Sequence, residues 1–161
     1  GIATMMDGRP RQSRGIFAES IRLNPSYSSA LANLGSTFYL CGEPEEGIPH
    51  IEKSLQLNPY DMHTFHAYGE LAHCHFLLCN WDEALVAVGR SLRLRRNYWL
   101  AHALRAAILA RAGRINEATE AFNYFLLGKA RLTLKDIHWI AYEDKKQHDY
   151  LVDSLKIAGW Q

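Results

Sequence analysis

The chain has 161 residues, 48% of them hydrophobic, enough for one domain with a substantial buried core and no need of disulfide staples. Eighteen Lys and Arg against seventeen Asp and Glu leave a formal charge of +1, so nothing in the balance calls for nucleic acid, an anionic membrane or an acidic substrate. Three cysteines, Cys41, Cys74 and Cys79, are an odd number without paired spacing, and no apolar run approaches the roughly 20 residues of a membrane helix, which predicts free thiols in a cytoplasmic protein.

In chain order, "GIATMM" reads as the surviving end of a truncated helix, with Gly1 where the small residue of a first helix belongs. A loop rich in turn and basic residues, "DGRPRQSRG", leads to a second helix from about Ser13 to Leu23, so the chain is expected to be part of a longer protein. "SIRLNPS" at residues 20–26 then returns as "SLQLNPY" at 54–60, and Pro25 and Pro59 lie 34 positions apart. A fixed internal period of this size signals stacked units, each too small to bury its apolar face alone. The first full unit carries Leu34, Gly35, Phe38, Gly42, Glu46, Gly47, Ile51, Ser54 and Pro59. The second repeats the series as Leu71, Ala72, His75, Cys79, Glu83, Ala84, Val88 and Ser91, and the third as Ala106, Leu109, Gly113, Glu117, Ala118 and Phe122.

These intervals have a physical cause. Small residues recur where two antiparallel helices must approach closely: Gly35, Ala72 and Ala106 on the first helix of each pair, Gly47, Ala84 and Ala118 on the second. Gly42 and Gly113 suit the left-handed turn that ends a first helix, and Pro25 and Pro59 stop second helices. Gly42 to Cys79 is 37 positions and Cys79 to Gly113 is 34, so the second unit holds three extra residues, which predicts a first helix about one turn longer within "DMHTFHAYGE". Beyond Phe125 the pattern changes, and a short helix near Thr133 to Ile140 and a longer one from about Glu143 to Ala158 are expected. Tyr150, Leu151, Leu155 and Ile157 would give the longer helix an apolar stripe for capping the array.

With these motifs the chain resembles the tetratricopeptide repeat family over about residues 13–130. The resemblance implies an all-α fold: antiparallel helix-turn-helix repeats stacked as a right-handed α-solenoid with C-terminal capping helices. The divisions are a partial repeat at 1–27, repeats at 28–61, 62–98 and 99–130, and capping helices at 131–161. In the tail, Leu132, Thr133, Leu134 and "DYLVDSLKIAGW" are similar to the ending of repeat domains attached to bacterial class III adenylate or guanylate cyclases and to some winged-helix regulators. Ala158 and Gly159 match that ending, whereas Trp160 and Gln161 do not. The likeness implies a regulatory module of a bacterial signalling protein whose catalytic or DNA-binding domain lies upstream.

Chemistry is harder to find. His63, His66, His73, Cys74 and His75 invite a metal reading, but on one helix His66 and His73 share a face while Cys74 and His75 turn away. No nucleophile elbow, phosphate loop or metalloprotease helix is present, and no cofactor, metal or catalytic residue is assigned. Glu45, Glu46, Asp82 and Glu83 fall at second-helix starts, and Arg90, Arg93, Arg95 and Arg96 at a second-helix end, where the helix dipole favours each sign. Binding is the role with a mechanism: first helices line a concave surface that can hold a peptide. Its inward positions are Asn33, Ser36 and Tyr39 from the first unit, His66, Glu70, His73 and Phe76 from the second, and Arg111 from the third. Phe76 and Tyr39 would anchor a partner, Glu70 and Arg111 would set its polarity, and histidine protonation below about pH 6.5 would modulate it. The function expected is a non-catalytic interaction module with a protein or peptide partner; a stand-alone adaptor is the second reading and a metal-dependent sensor or enzyme the third. Ile2, Met5, Met6 and Phe17, lacking a complete partner surface, suggest a homodimer through the N-terminal end.

Overall fold

A computed structural model describes residues 2–128 and 140–160, and all regular structure among them is helical. After α1 (Ile2–Met6) and α2 (Pro10–Leu23) come three pairs: α3 (Ser28–Leu40) with α4 (Pro44–Leu57), α5 (Thr64–Leu77) with α6 (Trp81–Leu94), and α7 (Trp99–Arg111) with α8 (Ile115–Gly128). The last described helix is α9 (Lys145–Ile157). Three-residue connections join the members of each pair, which leaves consecutive helices antiparallel and in contact. Helix α2 starts three residues earlier than expected, because Pro10 sits in its first turn, where a missing amide proton costs nothing. The acidic pairs Glu45–Glu46 and Asp82–Glu83 lie in the first turns of α4 and α6.

Each first helix ends in a left-handed residue: Gly42 at φ +84°, Cys79 at +59° and Gly113 at +76°. In each case the next amide reaches back to the helix, as Glu43 N donates to Phe38 O at 3.0 Å, Asn80 N to His75 O at 2.9 Å and Arg114 N to Leu109 O at 2.9 Å. Cysteine thus fills a glycine-type position in the second unit, held there by the same hydrogen bond.

The crossings of the pairs are as tight as the small residues suggest. Ala72, Ala84, Ala106 and Ala118 are fully buried. At the α3–α4 crossing, a Cβ added to Gly35 would fall 2.7 Å from the Gly47 carbonyl oxygen and 2.4 Å from Ile51 Cγ1. Replacing Gly35 with Ala should therefore destabilise the fold by about 1–3 kcal/mol, despite the helix propensity alanine gains. Gly89, in α6, has nothing within 4 Å of an added Cβ, so Gly89→Ala should instead stabilise by up to about 1 kcal/mol. Urea melts of the two variants read the two signs.

Two expectations are corrected. The second unit's extra residues do not lengthen its first helix by a turn: α5 has 14 residues against 13 in α3 and α7. The other two enlarge the connection 58–63, where Asp61 Oδ1 accepts from His63 N at 2.7 Å and Asn58 Nδ2 donates to Asp61 Oδ2 at 3.2 Å, holding a turn that delays the helix until Thr64. At the N-terminus, Met5 and Phe17 are not left uncovered but are 8% and 6% exposed, whereas Ile2 and Ile16 remain open at 56% and 44%.

The expected helix near Thr133 lies outside the described residues, except for Ile140. Helix α9 starts at Lys145, two residues after the expected point, because the Asp144 carboxylate accepts from Lys146 N at 2.8 Å and caps it. It packs on α7 through Leu151, Val152, Ser154 and Leu155, while Ile157, expected in the stripe, is 44% exposed.

Candidate functional site

Helices α3, α5 and α7 turn one face toward the segment 140–157, and the residues assigned to inward positions lie on or beside this face. Four of them meet at the Glu70 carboxylate. Glu70, 4% exposed, accepts from Ser36 Oγ and Tyr39 Oη, each at 2.6 Å, on Oε2. Its Oε1 lies 3.3 Å from His66 Nε2. A carboxylate in so dry a place is tolerable only with such donors. Burial, reinforced by the neighbouring carboxylate, pushes the Tyr39 hydroxyl well above the ordinary tyrosine range, so it stays a donor.

Below this knot, His73 stacks on the Tyr39 ring at 4.5 Å and shares a hydrogen bond through Nε2 with the Tyr142 hydroxyl. Burial lowers its pKa to about 4, against the pull of Glu70. The expectation of a histidine switch near pH 6.5 therefore fails for His73, which is neutral there. Phe76 is fully buried against Tyr150, with ring centroids 5.1 Å apart. Arg111 donates from Nε to Ser154 Oγ at 2.7 Å and lies over the Tyr150 ring at 4.2 Å. Glu143 N donates to the Leu40 carbonyl at 2.8 Å, and its carboxylate pairs with Arg11 Nε at 2.7 Å.

The sequence-derived residues thus divide into two groups. His73, Phe76 and Arg111 are covered by the chain's own C-terminal segment, because its tyrosines supply the apolar and polar partners. Asn33 and His66 remain half-exposed and line open space, with Ser36, Tyr39 and Glu70 beneath. One cavity of about 440 Å³ runs past Met5, Ala32, Asn33, Thr64 and Ala67, and a second of about 310 Å³ has Glu70, Tyr39, Phe65, Tyr98 and Trp99 in its wall; Met5 and His66 belong to both. Phe65, Tyr98 and Trp99 were not among the inward positions. For Tyr98 and Trp99 the signal was the pair "YW" at the start of α7.

The remaining candidates lie elsewhere. His75 points away from His73 into a shallow cleft with Tyr68, Glu83 and Arg90 and is half-buried, although its repeat position matches Phe38 and Leu109 of the other units. Among the described residues, no three His, Cys, Asp or Glu side chains come together as a metal-ligand set. Arg90 and Arg95 lie over the rings of Tyr68 and Phe65, at 5.5 Å and 4.6 Å, while Arg93 and Arg96 border a cleft with Arg105 and Arg114. Among the described residues no helix is long and apolar enough to cross a membrane.

No protein-family model matches the chain, and no curated protein matches it. Solved structures do. A structure of MamA superposes with a TM-score of 0.68 at 23% identity, covering 97% of this chain and 90% of that one. YrrB, described as a TPR protein with an unusual peptide-binding site, gives 0.63 at 16% identity over 97% of this chain and 79% of its own. The nearly identical TPR-like repeats of a Podosopora anserina putative kinesin light chain give 0.64 at 12% identity, covering 96% and 89%. The fold is a tetratricopeptide-repeat-like α-solenoid. At these identities the likeness concerns architecture alone, and function rests on the site.

Proposed function

We propose that this chain is a non-catalytic interaction module that holds a peptide of a partner protein on its inner face. The observation that carries the reading is the pair of cavities meeting at Met5 and His66, which leaves part of the inner face open beside residues 140–157, with Ile140 and Ala141 in the wall of the second cavity. A groove preformed by rigid helices binds an extended segment without reorganising. YrrB, of the same fold, has an unusual peptide-binding site, which supports the reading by analogy.

Two finer readings go with it. The tail "DYLVDSLKIAGW", which forms most of α9, supports an origin in a bacterial signalling protein with a cyclase or winged-helix domain, where the module would be regulatory. A stand-alone adaptor fits the groove equally well. Free thiols at Cys41, Cys74 and Cys79 suit work in the cytoplasm.

Selection from a random twelve-residue peptide display library tests the groove. Enriched peptides should lose at least tenfold in affinity on Asn33→Arg, which places a long charged side chain in the larger cavity, and keep it on Lys53→Glu on the exposed side of α4. Binding that ignores Asn33→Arg, or a library that yields no binder, would remove the reading.

A further inference from the structure

Glu70 is partnered only in part. Both strong donors, Ser36 and Tyr39, reach the same oxygen, Oε2. Oε1 is left with His66 Nε2 at 3.3 Å, and His66 is itself 38% exposed in its side chain. Among the described residues no lysine or arginine nitrogen comes within ion-pair distance of this carboxylate. A buried carboxylate with one oxygen underused at a cavity wall is incomplete: it costs free energy that a cation entering the cavity would recover.

The rest of the cavity suits a cation with a long apolar stem. Phe65 and Tyr98 pack edge to face at 5.0 Å, and Tyr39, Trp99, Leu100 and Ile140 complete an apolar wall. Aromatic faces attract cations, and Phe65 already holds the exposed Arg95 guanidinium at 4.6 Å on the rim. The volume, about 310 Å³, is at the low end for small-ligand pockets, enough for one side chain rather than a run of peptide. Between the two basic side chains, chemistry favours lysine. A guanidinium binds best to both oxygens of a carboxylate, and here Oε2 is already occupied, whereas an ammonium is a compact point charge that can be served by Oε1 alone.

We infer that the pocket at Glu70 receives a lysine side chain of the partner peptide, its ammonium on Oε1 and its methylenes along Phe65, Tyr98 and Trp99. The inference rests on the peptide-binding reading above and adds the identity of the anchor. Neutral lysine isosteres would lose the charge while keeping the stem, and arginine would fit less well.

The library binders supply the test. Selected peptides should share a lysine at one fixed position, and replacing it with norleucine should lower affinity for the wild-type protein at least tenfold. On Glu70→Gln, which keeps the size and an oxygen for Ser36 and Tyr39, the lysine and norleucine peptides should bind alike. Binders that lack a common lysine, or whose lysine can become norleucine without loss on the unaltered protein, overturn the anchor while leaving the groove reading intact. If no peptide is enriched, or if Asn33→Arg leaves binding unchanged, the groove reading falls and the anchor falls with it. The norleucine comparison uses wild-type protein, so it decides the matter even where Glu70→Gln perturbs the fold.

Discussion

Phe76→Ala should lower the unfolding free energy by about 3–5 kcal/mol, the range for removing a fully buried aromatic side chain. The ring joins three parts of the molecule: it lies 6.3 Å from His73 in its own helix, 6.3 Å from Trp81 at the start of α6 and 5.1 Å from Tyr150 in α9. Its loss should therefore loosen α9 as well as the α5–α6 pair. Hydrogen exchange should show α9 amides losing protection along with those of α5, and urea unfolding gives the magnitude. A variant of near wild-type stability would mean that Tyr150 does not cover Phe76 in solution. Phe76→Leu, which keeps most of the volume, should cost markedly less.

Acid should destabilise the protein through His73. Its folded pKa, about 4, lies below the ordinary 6.5 because the imidazole is buried among Tyr39, Phe76 and Tyr142, with Glu70 the nearby charge that opposes the shift. The unfolded chain then binds more protons than the folded one between these values, so the contribution is fully present above pH 6.5 and is lost as pH falls toward 4. A separation of this size corresponds to about 3 kcal/mol at most. His50 and His75, lowered in the same direction by burial, add smaller losses. Urea unfolding from pH 7 to pH 4.5 should show the decline, and His73→Gln should flatten it by about 2 kcal/mol. Equal declines in both proteins would assign the acid sensitivity to other groups.

The repeats were legible because their cause is local. Gly35 against Gly47, and Ala84 and Ala118 at the matching crossings, follow from how near two helices must come, and that requirement recurs at a fixed interval. Gly42 and Gly113 announced their left-handed turns through residue type, whereas Cys79 announced nothing and was recognised only by position. The inner face was legible as a stripe but not in its surroundings. Glu70 and His73 have the spacing of solvated groove residues, and only the return of Tyr142 and Glu143 across a long stretch of chain makes the site dry. Contacts of that range leave no period behind. The turn at Asp61 was missed for a related reason: three extra residues can extend a helix or a loop, and the choice depends on side-chain hydrogen bonds to the backbone that a residue count does not contain.

The enlarged connection 58–63 also shows how this architecture tolerates change. In a coiled coil, inserting three residues shifts the phase of every later contact and overwinds the assembly. Here two of the three inserted residues are absorbed at a joint between units, with Tyr60 standing 96% exposed at its tip, and the third pair still crosses through Ala106 and Ala118. Stacked repeats recognise their neighbours by surface rather than by distance along the chain. The joint therefore insulates each unit's register from its neighbour's length, and because Asn58, Asp61 and His63 also line the larger cavity, a change of length there would alter the wall of the groove without disturbing the crossings of the pairs.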